Sequence, residues 1–122
     1  GAENRYGRAT VVVPAGYVDG EAVTLRFHAG MSGAGADNSC TLDVQAVLSN
    51  DEGGIGSDLY AGAALDINNT TMADKDYSLS PGTLSAGDVL DIRINIAPND
   101  ASGGSSVAGI IGKASLLCDV KG

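Results

Sequence analysis

The chain has 122 residues, 18 of them glycine, with four Tyr, one Phe and no Trp, and a formal charge of −8 at pH 7. That size bounds it to one domain. The acidity argues against docking on a nucleic-acid backbone or an anionic membrane through charge, and no apolar run approaches the 18 residues of a membrane helix. One His and two Cys leave few side chains for catalysis or a transition-metal site, so composition favours a structural or binding domain over an enzyme.

The first residues are Gly1-Ala2-Glu3, the start expected of a product cut from a precursor or left by a fusion. Residues 1–8 read as an N-terminal arm and 9–122 as a single folded domain. In the arm, Arg5, Tyr6 and Arg8 suit hydrogen-bonded anchoring on an acidic or polar surface. Residues 9–13 read as a short strand stopped by Pro14, which cannot donate to a ladder. Over residues 22–28, Val23, Leu25 and Phe27 alternate with Thr24, Arg26 and His28. Residues 39–48 alternate Cys40, Leu42, Val44, Ala46 and Leu48 with Thr41, Asp43 and Gln45. A period of two with an apolar inner set is the signature of a strand with one buried face.

Residues 60–67 and 71–79 are weaker strand candidates, since Asp74-Lys75-Asp76 suits a turn equally well. Residues 89–96 give the cleanest alternation, with Leu90, Ile92, Ile94 and Ile96 inward against Asp91, Arg93 and Asn95. At the C-terminus, Ala108, Ile110, Gly112, Ala114, Leu116, Cys118 and Val120 form one face. Val107 and Ile111 fall on the other, so that strand is apolar on both sides, as at a subunit interface. Val47 and Leu117 are further apolar residues in outward sets. Glycine and Asp punctuate these segments at residues 18–20, 50–54, 81–82 and 86–88. No stretch sustains a helical period. The expected fold is an all-β, antiparallel β-sandwich of jelly-roll-like form with seven to eight strands.

Several residues invite a chemical reading. Cys40 and Cys118 both fall on inward sets, as a disulfide or as two buried thiols. The acidic, Gly-rich segment over residues 50–58 offers Asp51, Glu52 and Asp58 as hard oxygen ligands for Ca²⁺, without the EF-hand spacing; otherwise no cofactor is expected. His28 suits a general base or a pH-sensitive contact, against the plainer reading of a partly exposed strand residue beside Arg26. Asp43 and Asp91 make a carboxylate pair on paper, but aromatic platforms for a sugar are scarce. Asn68-Asn69-Thr70-Thr71 holds two overlapping Asn-x-Thr patterns and reads as a turn. The glycine patches at residues 30–35 and 102–106 have no Lys or helix after them, unlike a phosphate loop. Met31 in the first is an apolar contact for a neighbour or a cap on the core.

Five segments together carry a resemblance: Gly7-Arg-Ala-Thr-Val-Val-Val-Pro14, Leu25-Arg-Phe-His-Ala-Gly-Met31, Ala36-Asp-Asn-Ser-Cys-Thr-Leu-Asp-Val44, Leu84-Ser-Ala-Gly-Asp-Val-Leu-Asp-Ile-Arg93 and Leu117-Cys-Asp-Val-Lys-Gly122. The combination resembles a β-sandwich domain of tailed-bacteriophage virion proteins, found in capsid decoration (cement), head-fibre and tail-associated proteins and commonly trimeric. The resemblance implies a non-enzymatic virion structural protein on the particle surface, bound to copies of itself and to a major capsid protein. Arg5, Tyr6, Arg8, Met31, Val107 and Ile111 are then the expected self-association and shell contacts. Two other readings fit the residues: a carbohydrate- or receptor-binding module, with or without Ca²⁺, and an extracellular fibre subunit that polymerises by strand exchange.

Overall fold

A computed structural model of the chain describes residues 5–32, 38–49, 55–82, 84–100 and 109–118. Its strands are β1 (Arg5–Val12), β2 (Val23–Met31), β3 (Asn38–Ser49), β4 (Ile55–Asp58), β5 (Leu65–Asp66), β6 (Ala73–Leu79), β7 (Val89–Asp100) and β8 (Gly109–Cys118). They form two antiparallel sheets, one ordered β1-β7-β3-β4 with the two-residue β5 also on β3, the other ordered β6-β2-β8. N-terminal strands pair with C-terminal ones, β1 with β7 and β2 with β8. The protein is the antiparallel β-sandwich that the alternation predicts.

The inward faces of β2, β3 and β7 are those read from the sequence. Val23, Leu25 and Phe27 of β2 and Leu42, Val44 and Ala46 of β3 are buried in one cluster with Leu90 and Ile92 of β7. At its centre lies Tyr77 of β6, fully buried and edge-on to both Phe27 and Tyr60, with ring centroids 5.6 and 5.2 Å away. Its hydroxyl crosses to the other sheet and donates to the Leu42 carbonyl at 2.6 Å. The acidic run Asp74-Lys75-Asp76 therefore belongs to a strand, because Tyr77 and Leu79 continue its inward set and Arg26 of β2 pairs with the carboxylates of its outer face.

Turns close on their own side chains. Gly87 adopts a φ of 86° and donates to the Val13 carbonyl, while Asp88 accepts from the Ser85 amide at 2.8 Å. Gly30 allows a close approach: a Cβ there would stand 2.6 Å from the Asn69 carbonyl oxygen. The 68–71 segment uses that gap to join the sheets. Asn68 accepts from the Cys40 amide of β3, and Asn69 donates to the Ala29 carbonyl of β2.

Four expectations change. Residues 5–8 are not a separate arm but the first half of β1, paired with Ile96 to Arg93 of β7. Their alternation is hidden because the inward position is Gly7, whose missing side chain makes room for Ile94: a Cβ would lie 3.0 Å from Ile94 Cγ1. Met31 is 4% exposed and lies in the core, since the period of two in β2 runs three residues beyond His28. Ile111 packs against the core and Ile110 is exposed, the reverse of the sequence reading. A β-bulge sets His28 opposite Lys113 but Ala29 opposite Ile111, so Gly112 is the extra residue and the inward phase switches there. Residues 55–58, expected in a cation loop, are strand β4. Val107, Asp51 and Glu52 lie outside the described residues.

Tyr77 gives a direct check on this packing. Burial, then the neighbouring Tyr60 and Asp43, hold its phenol protonated well above the ordinary 10.0. The fold thus favours the neutral phenol, and that contribution is complete below pH 10 and lost as pH rises above it. Replacing Tyr77 by Phe should cost about 1 kcal/mol in urea unfolding at pH 7 and flatten the alkaline fall in stability. An unchanged alkaline limb contradicts the buried position.

Candidate functional site

The outer face of the β1-β7-β3 sheet is built in cross-strand rows of three. Tyr6, Asn95 and Asp43 form one row, Arg8, Arg93 and Gln45 the next, and Thr10, Asp91 and Val47 a third. Asp91 is the one buried charged residue among those described, at 7% exposure. It is covered by the arginines of the adjacent row. Arg8 donates through Nε and Nη2 to its two carboxylate oxygens at 3.0 and 2.6 Å, and Arg93 donates to Oδ2 at 3.2–3.3 Å. Hydrogen bonding from Arg8 is the chief cause holding the Asp91 carboxyl below its ordinary 3.8; desolvation opposes it and Arg93 adds to it. Val47, expected on an outward face, is on that face and is buried there beside Asp91.

Because both guanidinium groups lean along their strands toward Asp91, they draw away from the Tyr6–Asn95–Asp43 row. The space left between the rows is a groove of about 460 Å³ across three strands, floored at Gly7 and Ile94. Tyr6 stands at the β1 end with 76% of its surface exposed. Asp43 and Gln45 stand at the β3 end, where Asp43 Oδ1 accepts from the Val44 amide. Asn95 lines the middle, and its Oδ1 is a buried acceptor with no donor among the described residues. Of the predicted contact residues, the fold brings Tyr6 and Arg8 to this groove; Met31 and Ile111 belong to the core instead. Gln45, Arg93 and Asn95 were legible only as outward strand positions. What singles them out is the pairing register.

The remaining candidates are placed elsewhere. Asp43 and Asp91 sit four residues apart along neighbouring strands, roughly 14 Å between backbones at ~3.3 Å per residue, too far for a glycosidase pair. His28 lies on the outer face of the other sheet, with Nδ1 3.0 Å from Asp74 Oδ1. Beside it Arg26 donates through Nε and Nη2 to Asp76 at 2.8 and 3.0 Å. His28, Arg26 and Lys113 share a recess of about 180 Å³ with Leu117. Asp58 Oδ1 accepts from the Ala46 and Tyr60 amides and so caps the β4–β5 connection. Among the described residues no three His, Cys, Asp or Glu side chains converge to hold a metal.

Cys40 and Cys118 are both free thiols. A Cβ on Gly109 would stand 3.0 Å from Cys40 Sγ, whereas Cys118 ends the same strand nine residues later, about 30 Å away at ~3.3 Å per residue. Bridging needs the Cα atoms within about 7 Å, so the disulfide reading fails on the strand's length. Burial pushes the Cys40 thiol up, away from the reactive thiolate.

Comparison of the chain with protein-family models, curated proteins and solved structures finds no match in any of the three.

The Asp91 clamp carries a pH signature. A carboxylate with a lowered folded pKa stabilises the fold above its unfolded value, and that stabilisation is lost as pH falls through the folded one. Asp91→Asn should lower the urea midpoint at pH 7 and shrink the difference between midpoints at pH 7 and pH 3. Equal acid limbs in variant and parent contradict the clamp.

Proposed function

We propose that this chain is a non-enzymatic structural domain of a virus particle, joining copies of itself and holding to the outer shell through two edge strands. The observation that carries the proposal is where large apolar side chains remain exposed. Tyr6 and Val12 lie on β1, and Ile110 and Leu117 on β8, at one edge of each sheet. Edge strands offer unpaired backbone groups to a further strand, and isolated proteins blunt them with charge. The β6 edge is blunted in that way by Asp74, Lys75 and Asp76. The apolar tips on β1 and β8 suit surfaces that become covered. Resemblance to tailed-phage decoration and fibre domains supplies the setting, the virion surface, and the partners, copies in a trimer and a major capsid protein.

Native mass spectrometry of the chain should give a trimer, and sedimentation should carry it down with the capsid encoded beside it in the same genome. Val12→Asp and Leu117→Asp should yield monomers with little change in melting temperature. A parent chain that stays monomeric at high concentration and leaves the capsid in the supernatant contradicts the proposal. A second reading, a ligand-binding module, is favoured by the groove on the larger sheet.

A further inference from the structure

We infer that the groove between the Tyr6–Asn95–Asp43 and Arg8–Arg93–Gln45 rows binds a neutral saccharide. Its volume of about 460 Å³ lies within the range of small-ligand sites. The class of ligand follows from the polar groups left over once the protein's own bonds are made. Both arginines are committed to Asp91, so their charge is answered within the fold. With Asp43 included, two cations meet two carboxylates, and the whole chain carries −8. An anionic ligand therefore finds no net attraction here and meets repulsion at long range.

The unmet groups are acceptors. Asn95 Oδ1 is buried beneath the groove with no donor among the described residues, so the ligand is met by its neighbours in the two rows. Asp43 keeps its second oxygen beyond the one bonded to the Val44 amide, and the Gln45 amide stands exposed in the adjoining row. A purely apolar ligand strips water from Asp43 and Gln45 without replacing its bonds, and a phosphate or carboxylate meets the Asp43 charge. A sugar hydroxyl donates to the second Asp43 oxygen and accepts in return from the exposed Gln45 amide. Tyr6 completes the match, since its exposed ring offers a flat apolar face to the C–H side of a pyranose. One ring suffices for a single sugar unit. The low aromatic count thus limits the length of such a site without excluding it.

This inference shares only Tyr6 with the assembly reading, which rests as well on Val12, Ile110 and Leu117, so either can fail alone. The test is a nitrogen–proton NMR titration of the 122-residue chain with maltopentaose, cellopentaose, mannopentaose and chitopentaose. A heparin pentasaccharide and an uncharged pentapeptide serve as counter-probes. At least one neutral sugar should give saturable shifts confined to β1, β7 and β3, the Asn95 side-chain amide among them. Tyr6→Ala should weaken that binding about tenfold with an unchanged melting temperature, and Tyr6→Phe should retain it. Asn95→Ala should weaken it too. Four results overturn the inference: no neutral sugar shifting any resonance at millimolar concentration, shifts with heparin or the peptide alone, shifts outside these strands, or Tyr6→Ala binding like the parent.

Discussion

Two sheets with apolar inner faces stack in one arrangement when buried polar contacts fix their relative position. Here the Tyr77 hydroxyl bonded to the Leu42 carbonyl does so, together with the Asn68 and Asn69 bonds. The Tyr77 contact is a neutral hydrogen bond in a fully buried place, where leaving either group unpaired is costly. Three of the chain's five aromatic rings, Phe27, Tyr60 and Tyr77, gather at this point, while Val, Leu, Ile and Ala fill the space around them. A composition poor in aromatics is thus concentrated rather than spread. With the inner faces set by apolar alternation and held together here, the outer faces, and everything available for binding, follow by the period of two.

Charge is handled differently on the two outer faces. On the smaller sheet Arg26 and His28 meet Asp76 and Asp74 in the open, where such pairs contribute little. On the larger sheet Asp91 is covered by Arg8 and Arg93, and its bonds point their side chains along the strands. The groove exists because of that lean. Both arginines are consumed by the clamp, so the surface beside them is recognised through neutral polar groups and one ring. The assembly and saccharide readings use different parts of the molecule, the tips of the edge strands and the open face between them. Tyr6 belongs to both.

The fold was legible wherever an apolar inward set met a polar outward one. β2, β3 and β7 follow their sequence alternation residue by residue, and turn residues such as Gly87 and Asp88 sit where the punctuation placed them. The sequence reading failed where a position lacked the side chain that would have marked it. Gly7 hid the start of β1, and Gly112 hid a bulge that exchanged the roles of Ile110 and Ile111. The candidate site was less legible because its members come from three strands joined only by register. Tyr6, Arg8, Asp43 and Asp91 each drew notice separately. No spacing along the chain announces that Tyr6 stands opposite Asn95, or that Arg8 reaches diagonally to Asp91.

The central claim is that one phenol spans the two sheets and fixes how their apolar inner faces meet. The direct measurement is a low-temperature proton NMR search for the Tyr77 hydroxyl resonance and its cross-peaks. A slowly exchanging hydroxyl proton with cross-peaks to backbone protons at Leu42 and Asp43 is the predicted result. A Tyr77 hydroxyl in fast exchange with water, with ring cross-peaks confined to its own sheet, contradicts the account.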